Sequence, residues 1–238
     1  KKKKNIDKDV LSMDNNNVYG KTFYKLSFKE AIEKQIISDY RIVTVSVSQK
    51  EVEEFINQNK SVHTFLDLNT NDMDVRSIVS GITLIKVFKK YNLKKAISFH
   101  KSIKRSEDFT KQQDLLTNNI TNSHISGKMN SGKRSLIIDE FSKCNKSLIS
   151  NSRCLTEGID IPEVDCILFA DPKKSIIDIV QSCGRAMRKA PNTHKKYGYI
   201  IIPVIIDKKD TLTAIDQNNL FNETIKVVPP YQLLMREL

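Results

Sequence analysis

Apolar positions along residues 75–206 follow two alternating rhythms, which predict helices and strands in turn. Val75, Ile78, Val79, Ile82 and Ile85 recur at helical spacing within 75–91. Short β-branched or aromatic runs at 96–100, 123–126, 147–150 and 166–170 read as strands. Helices are expected between them, from Ser102 or Ser106, over 135–141 and over 175–188. Residues 197–206 are apolar almost without interruption, as in a strand buried on both faces. Strands of this kind separated by helices predict an α/β class, a doubly wound parallel sheet over residues 72–206. Upstream, 22–26 alternates as a strand would, and Ser27 with Glu30 forms a capping box ahead of a helix. Residues 41–47 read as a further strand. The stretch 49–70 is Asn-rich and amphipathic at best, and fits no element. Residues 1–20 are polar and expected to be poorly ordered. Residues 207–238 read as a polar linker followed by a helix, broken at Pro229-Pro230.

Charge changes this picture. Among 238 residues Lys+Arg number 39 and Asp+Glu 28, a net charge of +11 that favours a polyanionic partner. The four cysteines, Cys144, Cys154, Cys166 and Cys183, form no C-x-x-C pair, and no His or Cys spacing suggests a metal site. Reduced thiols in an intracellular protein, in cytoplasm or nucleus, are the simplest account. No apolar run approaches the roughly 18–20 residues of a membrane span, and the Lys-rich start lacks the apolar core of a signal peptide. A membrane partner is therefore not expected.

One phosphate-binding motif is suggested and rejected. Gly127-Lys128-Met129-Asn130-Ser131-Gly132-Lys133 spells G-x-x-x-x-G-K between a strand and a helix. Arg134 follows where a Ser or Thr hydroxyl must hold Mg²⁺. The Asp139-Glu140 pair arrives too soon for a separate strand to carry it. An ordinary turn before a surface helix is the better reading, and a complete small P-loop kinase is disfavoured.

Two other segments carry the chemistry. The first runs from Ser152 through Gly158-Ile159-Asp160-Ile161-Pro162, after a strand. The second, Gln181-Ser182-Cys183-Gly184-Arg185-Ala186-Met187-Arg188, closes a helix. Only eight arginines occur in the chain, and two lie within these last four residues. Their i, i+3 spacing lets both guanidinium groups project to one side, and Gly184 beside them permits close approach of a backbone or a neighbouring domain. Arginine in a chain whose usual cation is Lys suggests planar, bidentate recognition of phosphate. A solvated helix end complementing the macrodipole is the simpler alternative. Gly158 and Asp160 can equally be turn residues, and Ser152 a helix cap.

Taken together, these segments resemble motifs V and VI of superfamily 2 helicases and translocases, in their C-terminal RecA-like domain. Residues 96–100 sit where motif IV would, and 24–41 is similar to the lead-in of restriction-motor and viral helicases. Several roles follow from the resemblance. Arg188 would be the arginine finger, Arg185 a second phosphate contact, and Gln181 the coupling residue of motif VI. Gly158, Asp160 and Gly184 would approach the nucleotide. Ser152, together with Phe99, His100 and Lys101 at the motif IV position, would meet the nucleic-acid backbone, although strand packing accounts for part of the identity of Phe99 and His100. Ser182 departs from the pattern, since arginine is common there.

The family keeps its P-loop and Asp-Glu pair on an N-terminal RecA-like domain. The resemblance therefore implies that ATP and Mg²⁺ are bound mainly by such a domain of the same polypeptide. Residues 1–21 would be a flexible lead-in, 22–71 the connection from that domain, 72–206 the C-terminal RecA-like domain and 207–238 the start of a further region. The implied activity is ATP-dependent movement along nucleic acid, DNA favoured and RNA possible, with this fragment alone inactive. A basic nucleic-acid-binding module without catalysis is the alternative.

Overall fold

A seven-stranded, all-parallel sheet organises the computed structural model, which describes residues 15–58, 75–152, 154–155, 164–173, 175–189, 196–206 and 233–235. In chain order the elements are α1 (Asn16–Tyr19), α2 (Phe28–Glu33), β1 (Asp39–Ser48), α3 (Gln49–Gln58), α4 (Val75–Tyr91), β2 (Lys95–Phe99), α5 (Ile103–Leu116), β3 (Thr121–Ile125), α6 (Ser131–Lys143), β4 (Ser147–Asn151), β5 (Cys166–Phe169), α7 (Ile176–Ala186), β6 (Tyr197–Ile206) and β7 (Leu233–Met235). The sheet order is β3-β4-β2-β5-β6-β1-β7. Two compact units divide the chain, Lys1–Ile36 and Ile37–Leu238.

In the first unit Ser27 caps α2, its Oγ accepting from Glu30 N at 3.2 Å, as the capping box requires. The strand expected over 22–26 does not form. The Tyr24 hydroxyl instead donates to Glu30 Oε1 at 3.0 Å and accepts from Lys34 Nζ at 3.1 Å, folding this stretch onto α2. A single helical turn, α1, is capped by the Asn15 side chain.

The second unit is doubly wound. From β1 the chain steps through α4 to β2 and through α5 to β3, moving toward one edge of the sheet. It then reverses, through α6 to β4, onward to β5, and through α7 to β6. Right-handed crossovers place helices of opposite travel on opposite faces. Accordingly α3, α4 and α5 share one face, while α6 and α7 take the other. Val43, Val45 and Val47 of β1 pack with Ile78, Val79, Ile82 and Val87 of α4 and Phe109 of α5 in the main apolar core. β2, β4 and β5 are buried throughout, which explains their continuous apolar or small-residue character.

The sheet is wider than the sequence predicts. β1, assigned above to the connecting segment 22–71, pairs with β6 along its whole length, from Asp39 opposite Tyr197 to Ser48 opposite Ile206. β7, assigned to a further C-terminal region, pairs with β1 on its other side. Neither pairing has a local signal, because both join segments far apart in sequence. The unassigned stretch after β1 opens with α3, whose Val52, Phe55 and Ile56 turn toward the core. α6 begins four residues before Ser135 because Asn130 caps it, Oδ1 accepting from Lys133 N at 2.8 Å. Gly132 and Lys133 therefore belong to its first turn, and 136–140 is helix.

Candidate functional site

β2 and β5 lie side by side, yet α5 leaves β2 toward one edge and α7 leaves β5 toward the other. Their carboxyl ends form a topological switch point, where open α/β sheets bind ligands. Phe99 and Phe169 close its floor, paired in register with ring centroids 5.9 Å apart. Lys173 Nζ stands 4.3 Å over the Phe99 ring. The N-terminus of α5 opens onto this crevice, with Ser102 Oγ accepting from Arg105 N at 3.2 Å. Asp171, just beyond β5, accepts from Lys101 N and from Arg105 Nε, each at 3.0 Å, so a buried carboxylate ties the two strand ends together.

The motif IV residues separate in this setting. Phe99 is fully buried, so the nucleic-acid contact expected of its side chain is not available to it; packing on Phe169 is its role. His100 is also buried. Its Nε2 lies 2.9 Å from Ser98 Oγ, which bonds Ser150 Oγ at 3.0 Å, and its ring packs 4.7 Å from Phe109. Burial, with the Arg105 and His124 charges nearby, pushes the His100 imidazole down to about 3, so the ring is neutral at physiological pH. Lys101 alone of the three is exposed. Ser152 follows β4 and is buried; Asn151 before it donates to Ser98 O at 3.0 Å and accepts from Leu155 N at 3.4 Å.

The second cluster lies at the end of α7. Ser175 caps the helix, accepting from Asp178 N. Ser182 is buried and donates to Asp178 O at 2.6 Å, so the arginine common at this position would have to enter the interior. The two arginines part company. Arg185, in the last turn, is 6% exposed, whereas Arg188, past the cap residue Met187, is exposed. Gln181 is half-buried, and a Cβ added at Gly184 would meet no atom of the described residues within 4 Å. Burial pushes the Cys154 thiol up, while the Arg134 and Arg185 guanidinium groups pull it down. Gly158 and Asp160 lie outside the described residues.

Three contributors escaped the sequence reading. Asp171 read as loop, and its partner Arg105 is distant in sequence. Gly198 lies within the apolar run 197–206 with no signal of its own; a Cβ there would collide with Ala186 O and stand 2.7 Å from its carbonyl carbon. Lys95, a buried cation opening β2, donates to Phe141 O, Ser142 O and Cys144 O and so caps the C-terminus of α6. Among the described residues no helix is long and apolar enough to cross a membrane, and no group of three His, Cys, Asp or Glu side chains gathers as a metal site.

Comparison with known proteins agrees with this fold. Residues 76–190 match the family described as the helicase conserved C-terminal domain. A probable helicase, A859L, of African swine fever virus (isolate Tick/Malawi/Lil 20-1/1983) is 23% identical over 84% of the chain and 22% of its own length. The ATP-dependent RNA helicase DDX55 of Danio rerio is 31% identical over 44% of the chain and 18% of its own length. The chain thus spans about a fifth of these relatives. Among solved structures, the ATP-dependent type ISP restriction-modification enzyme LlaBIII bound to DNA superposes with a TM-score of 0.71. It is 30% identical and covers 91% of this chain and 15% of its own. A fragment of a putative HsdR subunit of a type I restriction enzyme from Vibrio vulnificus shares the fold, with a TM-score of 0.60 at 17% identity, over 83% of this chain and 42% of its own.

Proposed function

Because residues 76–190 are a superfamily 2 helicase C-terminal domain of RecA-like fold, we propose that the chain is the C-terminal half of the motor of an ATP-dependent nucleic-acid helicase or translocase. The observation that carries the reading is the end of α7. There an exposed Arg188 stands one turn beyond Gly184, where an added Cβ would meet no atom of the described residues within 4 Å. Arg188 is the arginine finger, and Arg185, buried in the last turn of α7, is a second phosphate contact. Gln181 couples the nucleotide to the rest of the site. Gly158 and Asp160 are assigned to the nucleotide by the motif V resemblance alone.

ATP with Mg²⁺, held mainly by an N-terminal RecA-like domain of the same polypeptide, supplies the phosphoryl group whose hydrolysis drives movement. This chain's own residues do something narrower. Arg188 places a fixed positive charge where negative charge develops on the transferred group, which needs no reorganisation at the moment of reaction. On the crevice side the exposed Lys101 meets the nucleic-acid backbone, and Ser152, buried after β4, is assigned there by the motif V resemblance alone. Phosphate-directed grip makes binding salt-dependent and largely sequence-blind. DNA is the favoured track, supported by the 30% identity to an enzyme solved on DNA. RNA is the alternative suggested by the helicase similar over 44% of the chain.

The experiment is the ATPase activity of the intact protein and of this fragment, each with and without single-stranded DNA, duplex DNA and RNA. Stimulated turnover confined to the intact protein is the expected result, and the better stimulant names the track. Equal, unstimulated turnover by the fragment would overturn the reading and return attention to the loop at 127–133.

A further inference from the structure

The cap residue of α7 is gripped from two sides. On one side β6 passes so close that only glycine fits: a Cβ at Gly198 would collide with Ala186 O, stand 2.7 Å from Ala186 C and 3.2 Å from Met187 N. Real side chains do not approach backbone this closely, and the obstacle is a helix carbonyl, which cannot swing aside as a side-chain tip can. On the other side the Ser38 amide, immediately before β1, donates to Met187 O at 2.8 Å. β1 and β6 are neighbours here, with Tyr40 opposite Gly198. Ala186 and Met187 are themselves fully buried. The last carbonyls of α7 are therefore seated on the first residues of the β1–β6 pair, and Arg188 is the next residue along the chain.

We infer that Gly198 is a positioning residue for the nucleotide site, with the Ser38 amide as its second anchor: together they fix where the C-terminus of α7 presents Arg185 and Arg188. This inference rests on the function proposed above. Gly198 touches no nucleotide. It sets the spacing between helix and strand, and any side chain at 198 lifts the helix end off the sheet. A displacement of about 1 Å of a charge-stabilising group costs on the order of 10²-fold in rate while leaving substrate binding nearly intact. A residue that served folding alone would behave differently, lowering the fraction of competent molecules and leaving the turnover of each competent molecule unchanged.

The test uses the intact protein. Nucleic-acid-stimulated ATP turnover is measured for Gly198→Ala and divided by the stoichiometry of nucleic-acid binding, so that only folded molecules are counted. A normalised kcat at least tenfold below the parent, with the KM for ATP and nucleic-acid affinity within about twofold, is expected. A smaller loss overturns the inference. If Gly198→Ala yields no binding-competent protein, Ser38→Pro decides by the same criterion, because it removes the donor to Met187 O and adds no atom at the Gly198 contact. Arg188→Ala is run alongside. Parental turnover in Arg188→Ala would sink the function on which this rests. Loss in Arg188→Ala with parental turnover in the positioning variants would sink the positioning role alone.

Discussion

Arg105 Nε meets Asp171 Oδ2 at 3.0 Å, joining the first turn of α5 to the loop beyond β5 across the switch point. Both side chains are largely buried, and the same carboxylate oxygen also accepts from Lys101 N. A buried carboxylate so placed orients the chain that carries the exposed Lys101. Removing one partner of a buried pair leaves the other desolvated. Asp171→Ala is accordingly expected to cost about 3 kcal/mol of domain stability, read from the shift in urea midpoint. A loss below about 0.5 kcal/mol, the range of exposed pairs, would show that the pair does not hold the crevice together.

Arg188→Ala in the intact protein is expected to lower kcat for ATP hydrolysis by at least about 10³-fold, the scale of an arginine finger, with nucleic-acid affinity retained. Steady-state turnover beside a binding isotherm checks both halves. Near-parental turnover removes Arg188 from that role.

His100 gives the domain a pH dependence of definite sign. Its folded-state value is depressed to about 3 from an ordinary 6.5, chiefly by burial. Between these two values the unfolded chain binds the extra proton. The stability contributed by the neutral ring is therefore complete above pH 6.5 and is lost as pH falls, by about 1.4 kcal/mol per unit down to about pH 3. Denaturation midpoints from pH 7 to 5 are expected to fall more steeply for the parent than for His100→Gln. Parallel slopes would mean that the buried ring does not govern this range.

Lys101 is exposed at the crevice mouth and carries its charge on a flexible stem. Lys101→Ala is expected to weaken nucleic-acid binding to a similar extent across sequences and to reduce the slope of log K against log salt by about 1. Titrations at several salt concentrations decide the matter, an unchanged slope placing Lys101 off the backbone path.

The four thiols divide by burial. Cys166 and Cys183 are buried, and burial pushes the Cys183 thiol well up, whereas Cys144 and Cys154 are partly accessible. Alkylation of the native protein near pH 7.5 is expected to reach Cys144 first and to spare Cys166 and Cys183 until denaturant is added. Mass spectrometry of the labelled peptides reads this directly, and early modification of Cys183 would contradict its burial.

Where the sequence was legible, the cause was local. β6 falls on 197–206 because an uninterrupted apolar run has few other homes, and α2 begins where Ser27 and Glu30 say it should. The strand misread at 22–26 had the right alternation but no partner, and alternation alone does not supply one. Partnership over distance was likewise invisible at β1, β7 and the Arg105–Asp171 pair. Spacing marks the candidate residues, yet it does not sort the buried Phe99, His100 and Arg185 from the exposed Lys101 and Arg188, because burial depends on neighbours that arrive from other elements. Gly198 shows the same limit: nothing in the sequence marks it, and only the approach of Ala186 gives it a reason.

The place of β1 in the sheet has a consequence for how the molecule is made. Among the described strands of this sheet β1 precedes the others in the chain, yet its described partners, β6 and β7, follow all the rest. Its row of valines and its two open edges must wait while β2 to β5 assemble without it. Such long-range closure is slow, and an unpaired apolar strand is prone to meet the wrong neighbour. A ribosome stalled before residue 197 would leave this strand without its neighbours, so the sheet is at its most aggregation-prone, and most in need of a chaperone, just before residues 197–206 emerge.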